Sequence, residues 1–259
     1  KYVFLQGMRY AIMLAYNGTK YEGWQFQPGR LTVQSALQEA LSKWCRAQID
    51  VVGCGRTDSG VHAKEYTAHF DLDEELPKDM VYHLNAILPP DIAIAAIKLV
   101  SDDFHARYDA LSRTYEYYLH GFKSPFIDTF SYRVKQFDKL DLTKLQSAAD
   151  LLLNYEQFFP FCISNSGVNN YNVRLEQAKW EKMEAGRLKF TIKANRFLRG
   201  MVRLITGMCV NVALDQLTLD QVRSSLNQQI ILPKSLSLPP HGLYLVRVEY
   251  LKGLLDQPI

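Results

Sequence analysis

Gly53-Cys54-Gly55-Arg56-Thr57-Asp58-Ser59-Gly60-Val61-His62-Ala63 is the densest run of punctuation in the chain. Glycine permits positive φ and close backbone approach, so three glycines in eight residues mark a tightly turned segment. Between them stand one arginine, one threonine and one aspartate. On local grounds two readings are open. One is a tight turn in which Asp58 caps a helix. The other is a phosphate-cradling loop, against which the spacing counts: it matches neither G-x-G-x-x-G nor a P-loop with its Gly-Lys-Ser/Thr.

Outward from this segment, the hydrophobic period changes along the chain. Val51–Gly53 reads as a strand entering it, and Glu65–Leu72 as a strand leaving it, with Tyr66, Ala68, Phe70 and Leu72 on one face. Upstream lie a strand over Met8–Tyr16, a turn at Asn17–Gly18 and an amphipathic helix over Thr32–Trp44. Downstream, a short helix over Pro77–Leu88 stops at Pro89-Pro90, and Ile92–Val100 reads as a buried strand. Further on come a tyrosine-rich strand over Arg113–His120 and a helix over Asp141–Asn154. A hairpin of Arg174–Met183 and Arg187–Ala194 turns near Ala185-Gly186. In its second strand Leu188, Phe190, Ile192 and Ala194 alternate with Lys189, Thr191 and Lys193, one face apolar and the other basic. A helix over Leu198–Val212 follows, then one opened by the capping box Thr218-x-x-Gln221, then a closing strand over Leu243–Tyr250. Strands interspersed with helices and a hairpin predict an α+β (mixed α/β) fold with largely antiparallel sheet flanked by helices. The expected division is an 8–107 N-terminal domain and a 108–259 C-terminal domain, with no low-complexity linker and no internal sequence repeat. Residues 1–7 read as an added or disordered tail ahead of a natural start at Met8.

With 259 residues and 47% apolar content, the chain can bury a sizeable core without staples. No apolar run approaches the roughly 18 residues of a membrane span. The four cysteines (Cys45, Cys54, Cys162 and Cys209) form no C-x-x-C pair and have no histidine at finger spacing, so a structural zinc is not expected. They read as reduced thiols of a cytoplasmic protein. Net charge is only +3, yet Gly186–Leu214 holds six basic residues (Arg187, Lys189, Lys193, Arg196, Arg199 and Arg203) and no acid. Such a strip fits a polyanion on one face, and equally a solvated strand and helix surface.

Taken whole, Gly53–Ala63 resembles the G-x-G-R-T-D-x-G-V-H-A signature of the TruA family of tRNA pseudouridine synthases. Other segments support the resemblance in order. Tyr21–Gln25 is similar to the family's early strand-to-loop element, and Thr32–Leu37 to the start of its first helix. Phe104–Arg107 with Ser112–Tyr117 is similar to its tyrosine strand, Phe197–Arg203 to its arginine helix and Gly242–Leu245 to its closing strand. The resemblance spans about Met8 to Tyr250 and implies the pseudouridine synthase fold, with two similar sub-domains.

It also implies roles. Asp58 would be the essential carboxylate, either attacking C1′ or helping deprotonation at the ribose while the uracil is detached, rotated and rejoined through C5. Tyr115 would stack on the flipped base and serve as a proton acceptor. Arg203 would pair with Asp58 and keep it ionised. Arg199, four residues away, is expected on the same helical face. Arg56 would take the space left by the extruded nucleotide, since a stem uridine is unreachable until flipped. Leu245 would pack against the uracil ring, and Arg107 and Arg113 would be further RNA contacts. His62 is expected to have a structural hydrogen-bonding role. The implied substrate is tRNA at positions 38, 39 and 40 of the anticodon stem-loop. No cofactor, metal or membrane is implied, and the implied assembly is a homodimer. One stretch departs from the family: in 158–170 Asn169 stands where a cation is common, weakening a phosphate contact.

Without the resemblance, Tyr115 is an ordinary strand aromatic, Leu245 a core leucine, and Arg199 and Arg203 surface arginines. Two other functions compete. A non-catalytic RNA-binding module needs only basic strands and exposed aromatics, but gives no reason for Asp58 in an RNA-facing loop. A glycosidase or nucleosidase wants a second carboxylate, and the segment offers none.

Overall fold

The computed structural model describes residues 7–163 and 169–255. Most of the expected N-terminal tail (1–6) and the 164–168 part of the divergent stretch lie outside the described residues. The chain forms two compact units: one of Lys1–Leu111 with Leu245–Ile259, the other of Ser112–Tyr244.

The first unit is built on β1 (Met8–Tyr16), α1 (Val33–Cys45), β2 (Val52–Gly53), β3 (His62–Leu72), α2 (Met80–Ile87) and β4 (Ile92–Val100). β1 is central. It pairs antiparallel with β3, Ile12 opposite Ala68, and antiparallel with β4, Ile12 opposite Ile97. β2 adds to β3 through Val52–His69 and Gly53–Ala68. The order β4-β1-β3-β2 with two helices is the split βαβ arrangement. α1 starts where Thr32 accepts from Ser35 N–H and Ser35 returns the bond, closing a capping box. Leu37 and Leu41 of α1, Leu84 of α2, and Ile12, Tyr66 and Ala68 of the sheet are fully buried. β4 alternates buried and exposed positions over its first four residues, so the strand expected to be buried has an open face instead.

The second unit contains β5 (Ser112–His120), β6 (Tyr132–Arg133), α3 (Leu142–Leu152), β7 (Leu175–Met183), β8 (Arg187–Ala194), α4 (Met201–Ala213) and α5 (Leu219–Gln228). Apart from the short β6, it repeats the element order of the first unit as far as α4. β8 lies between β5 and β7. The expected hairpin turns where Ala185 and Gly186 both take positive φ, and β8 buries every second residue from Leu188 to Ala194. Trp180 stacks on its register partner Phe190 at 4.8 Å. Burying a side chain such as Phe190 or Leu119 is worth roughly 1.5–3 kcal/mol over leaving it exposed. Every residue of α4 except Arg203 is buried.

The expected division into 8–107 and 108–259 differs from the structure at both ends. The first unit runs to Leu111, whose N–H donates to Glu249 O at 2.7 Å, and β9 (Leu243–Glu249) returns the chain to it beside β3. Val248 N–H donates to Glu65 Oε1 at 3.0 Å. The helix expected from Leu198 also needs correction. It begins only at Met201, because Gly200 at φ 69° interrupts the backbone.

In the first unit His69 is 4% exposed and its Nδ1 accepts the Ala106 N–H at 3.1 Å. Burial, with Arg9 and His105 beside it, lowers the imidazole pKa to about 4. The folded chain therefore binds this proton more weakly than the unfolded chain. Stability should fall as pH drops through the ordinary histidine value near 6.5 and level off below about 4, a loss of about 3 kcal/mol at most. Urea midpoints between pH 7 and 4.5 should slope less in His69→Asn than in the wild type, and equal slopes would dismiss His69 as the source.

Candidate active site

β2 ends at Gly53 and β3 begins at His62, so the glycine-rich segment connects two strands. No helix follows Asp58, and the helix-cap reading falls. Instead Asp58 O accepts the Val61 N–H at 3.1 Å, across a turn in which Gly60 has φ 77°. Beneath the loop lies an aromatic stack. The Trp24 and Tyr66 rings are 4.0 Å apart at 26°, and the Tyr16 ring is 5.6 Å from Tyr66. The Tyr66 hydroxyl donates to Gly55 O, and the Tyr16 and Thr57 hydroxyls share a 2.8 Å hydrogen bond. Trp24 N–H donates to Thr57 O and Gly60 N–H to Tyr21 O, both at 3.2 Å. A Cβ on Gly53 would collide with the Tyr66 hydroxyl oxygen and stand 2.6 Å from the Trp24 ring, so only glycine lets the stack close.

The fastened loop carries Asp58 half-buried and Arg56 exposed. Arg56 Nε donates to Gln25 Oε1 at 3.0 Å. His62 is buried and its Nδ1 accepts the Gly18 N–H at 3.1 Å, in keeping with a structural role. The loop-holding role of Tyr16, Thr57 and Tyr66 leaves no signal in the sequence, and the contribution of Tyr21–Gln25 to the floor is visible only in space. Also in this unit, Arg107 is exposed with its guanidinium 5.7 Å from the Tyr108 ring centre. Leu245, on β9, is 1% exposed, the burial of a core strand leucine.

The second unit holds the other expected residues. Tyr115 on β5 is half-buried, edge-on to Phe197 at 5.1 Å. Arg113 Nη1 donates to Asn195 O at 3.0 Å. Arg203 Nε donates to Leu238 O at 2.6 Å. Arg199 does not share a helical face with Arg203. It precedes the αL residue Gly200, is exposed, and offers its carbonyl to Ile163 N–H at 3.1 Å. A Cβ on Gly200 would collide with Ile163 Cδ1, so the divergent stretch packs directly under the arginine turn.

The cationic strip is partly neutralised. Lys189 lies 3.6 Å from Glu116 and 3.2 Å from Glu181, and Lys193 lies 3.2 Å from Glu176. Lys179 and Lys189 together hold the Glu181 carboxyl below its ordinary range. Among the described residues no group of three or more His, Cys, Asp or Glu side chains could hold a metal ion, and no helix is long and apolar enough to cross a membrane.

The family described as tRNA pseudouridine synthase matches residues 12–109 and 153–251. The chain is 41% identical over 252 residues to the tRNA pseudouridine synthase A of Bacteroides thetaiotaomicron, covering 96% of this chain and 93% of the relative. It is 42% identical over 246 residues to that of Porphyromonas gingivalis, covering 93% and 97%. With that of Bacillus subtilis it shares 33% identity over 246 residues, covering 94% and 99%.

Two glycines of the loop separate packing from mere turn chemistry. Gly53→Ala drives a methyl group into the Trp24–Tyr66 stack and should destabilise the fold by about 2–3 kcal/mol. Gly55 has nothing within 4 Å of its would-be Cβ, and Gly55→Ala should stay within about 0.5 kcal/mol of wild type. Urea denaturation of both variants checks this, and equal effects would show that the stack does not constrain the loop.

Proposed function

The chain belongs to the tRNA pseudouridine synthase family, and on that premise we propose that it isomerises uridine to pseudouridine in tRNA, with Asp58 as the essential carboxylate. The observation that supports this most directly is the Asp58 loop itself. Its backbone is tied to an aromatic floor, no helix needs Asp58 as a cap, and its side chain stands half-exposed next to the exposed Arg56. A carboxylate on a rigid support loses little orientational freedom when a ribose is brought to it.

In this reading the N1–C1′ bond of uridine breaks, the uracil turns, and a C5–C1′ bond forms with loss of the C5 proton. Asp58 acts either as nucleophile at C1′ or by assisting removal of a ribose proton, and both routes require it ionised. Arg203, held in direction by backbone, contributes a fixed cation to the reaction. Tyr115 stacks on the extruded base and accepts a proton. Arg107, Arg113 and Arg199 contact the RNA backbone, whereas Leu245, buried in β9, has no open surface to offer the base. The substrate positions are 38, 39 and 40 of the anticodon stem-loop. The reaction rearranges one molecule and consumes no co-substrate, so no cofactor is invoked. The working assembly is a homodimer in the cytoplasm, the former checked by sedimentation of the purified chain.

With tRNA tritiated at uridine C5, the wild type should release tritium to water and Asp58→Asn should lower the rate at least about a thousandfold. Equal release by both would remove Asp58 from the chemistry. Release by neither would favour a non-catalytic RNA-binding module. Arg56→Ala should lower turnover on a structured stem by about a hundredfold while tRNA affinity changes by less than about tenfold, because extrusion is lost more than attraction. A parallel fall in both would make Arg56 a simple phosphate contact.

A further inference from the structure

Arg203 is the single residue of α4 that is not buried, a cation on a helix otherwise packed all round. A guanidinium there needs partners, and fixing one N–H of its planar fork fixes the direction of the others. One such partner is backbone. Arg203 Nε donates to Leu238 O at 2.6 Å, and Leu238 N–H returns to Arg203 O at 3.3 Å. Leu238 belongs to a non-helical stretch ahead of β9, with no strand ladder of its own to hold it.

β5 also holds that stretch. The hydroxyl of Tyr117, fully buried, donates to Pro239 O at 2.6 Å, one peptide from the carbonyl that Arg203 uses. Burial raises the Tyr117 phenol well above its ordinary pKa, so the hydroxyl stays a donor throughout the working range. Gly242 closes the far side: a Cβ there would stand 2.8 Å from the Tyr117 ring. Tyr117 is two residues beyond Tyr115 on the same strand, and in an extended strand the two side chains share a face.

We infer that Tyr117 is a positioning residue of the isomerase site, acting through the Leu238–Pro239 peptide to set the direction of the Arg203 guanidinium. It touches no substrate. The inference rests on the role given above to Arg203 and goes beyond it by naming the group that orients the cation.

The test uses the full chain and C5-tritiated tRNA, well below the melting temperature of each variant. Tyr117→Phe removes one oxygen and should lower kcat about tenfold while leaving KM within about twofold, the pattern for an interaction realised in the transition state. Arg203→Lys keeps the charge but has no guanidinium Nε to bond Leu238. In that background Tyr117→Phe should cost nothing further, because the link it supports is already gone. Gly242→Ala, which displaces the ring without removing the hydroxyl, should lower kcat in the same direction. The inference is overturned if Tyr117→Phe leaves kcat unchanged, acts only on KM, or costs as much in the Arg203→Lys background as in the wild type. Asp58→Asn is run alongside. If it is inactive while Tyr117→Phe behaves as wild type, only this inference falls. If it remains active, the site assignment falls and takes this inference with it.

Discussion

The stacking of Trp24 on Tyr66 beneath Gly53 is the contact on which the Asp58 loop depends. A loop of eight residues between two strands has many conformations open to it. Fixing each residue costs about 1–2 kcal/mol in backbone entropy. Here the cost is met from below. Two buried rings 4.0 Å apart form a flat floor, and hydroxyls from Tyr16 and Tyr66 reach up to Thr57 and Gly55. The floor can approach so closely only because Gly53 has no side chain. The two floor hydroxyls are thereby paired with the loop and not left buried and unpaired. Asp58 takes its place in the molecule from this arrangement of the backbone that carries it.

The same economy is visible in the fold. Each unit lays out its main elements in the order β, α, β, β, α, and in each the third of these strands lies beside the first. The amino-acid sequence shows no repeat between them. Burial constrains which positions are apolar, and many apolar residues meet that constraint, so topology persists where identities do not. In the first unit the arrangement leaves a loop between β2 and β3 free to specialise. In the second the corresponding connection between β7 and β8 is a tight turn through Ala185 and Gly186, and a cation, Arg203, breaks the otherwise buried surface of α4.

Much of this is legible in the sequence, for identifiable reasons. The alternation in Arg187–Ala194 specifies both the strand and its buried face, because a period of two can be met in no other way. The Thr218-x-x-Gln221 box marks the start of α5 at its true position. What is not legible is partnership. Lys189 and Lys193 read as a free cationic face, but Glu116, Glu176 and Glu181 come from neighbouring strands and neutralise them. Hydrophobic continuity carries the expected helix back to Leu198, whereas Gly200 takes αL and stops it there. An expected second domain running to 259 does not show that the chain returns to the first unit from Leu245, because β9 does so across more than a hundred residues. Tyr66 reads as a buried strand residue, and nothing in its spacing shows that its hydroxyl ends on Gly55.

These corrections redistribute the cations among different tasks. An ion pair on a sheet surface contributes little to stability, about 0–1 kcal/mol, but it does remove a lysine from the field that an approaching polyanion meets. With Lys189 and Lys193 engaged by carboxylates, electrostatic attraction on the second unit shifts toward arginines such as Arg199, exposed on a turn. Arg199 then suits a phosphate contact, which needs charge and reach more than fixed direction. Arg203 suits the opposite task. It is held by a backbone carbonyl on an otherwise buried helix, where a guanidinium is costly to place and correspondingly well directed once placed. Two arginines that a helical wheel would put on one face are thus separated by a single glycine, Arg199 exposed on a turn and Arg203 bonded to backbone from α4.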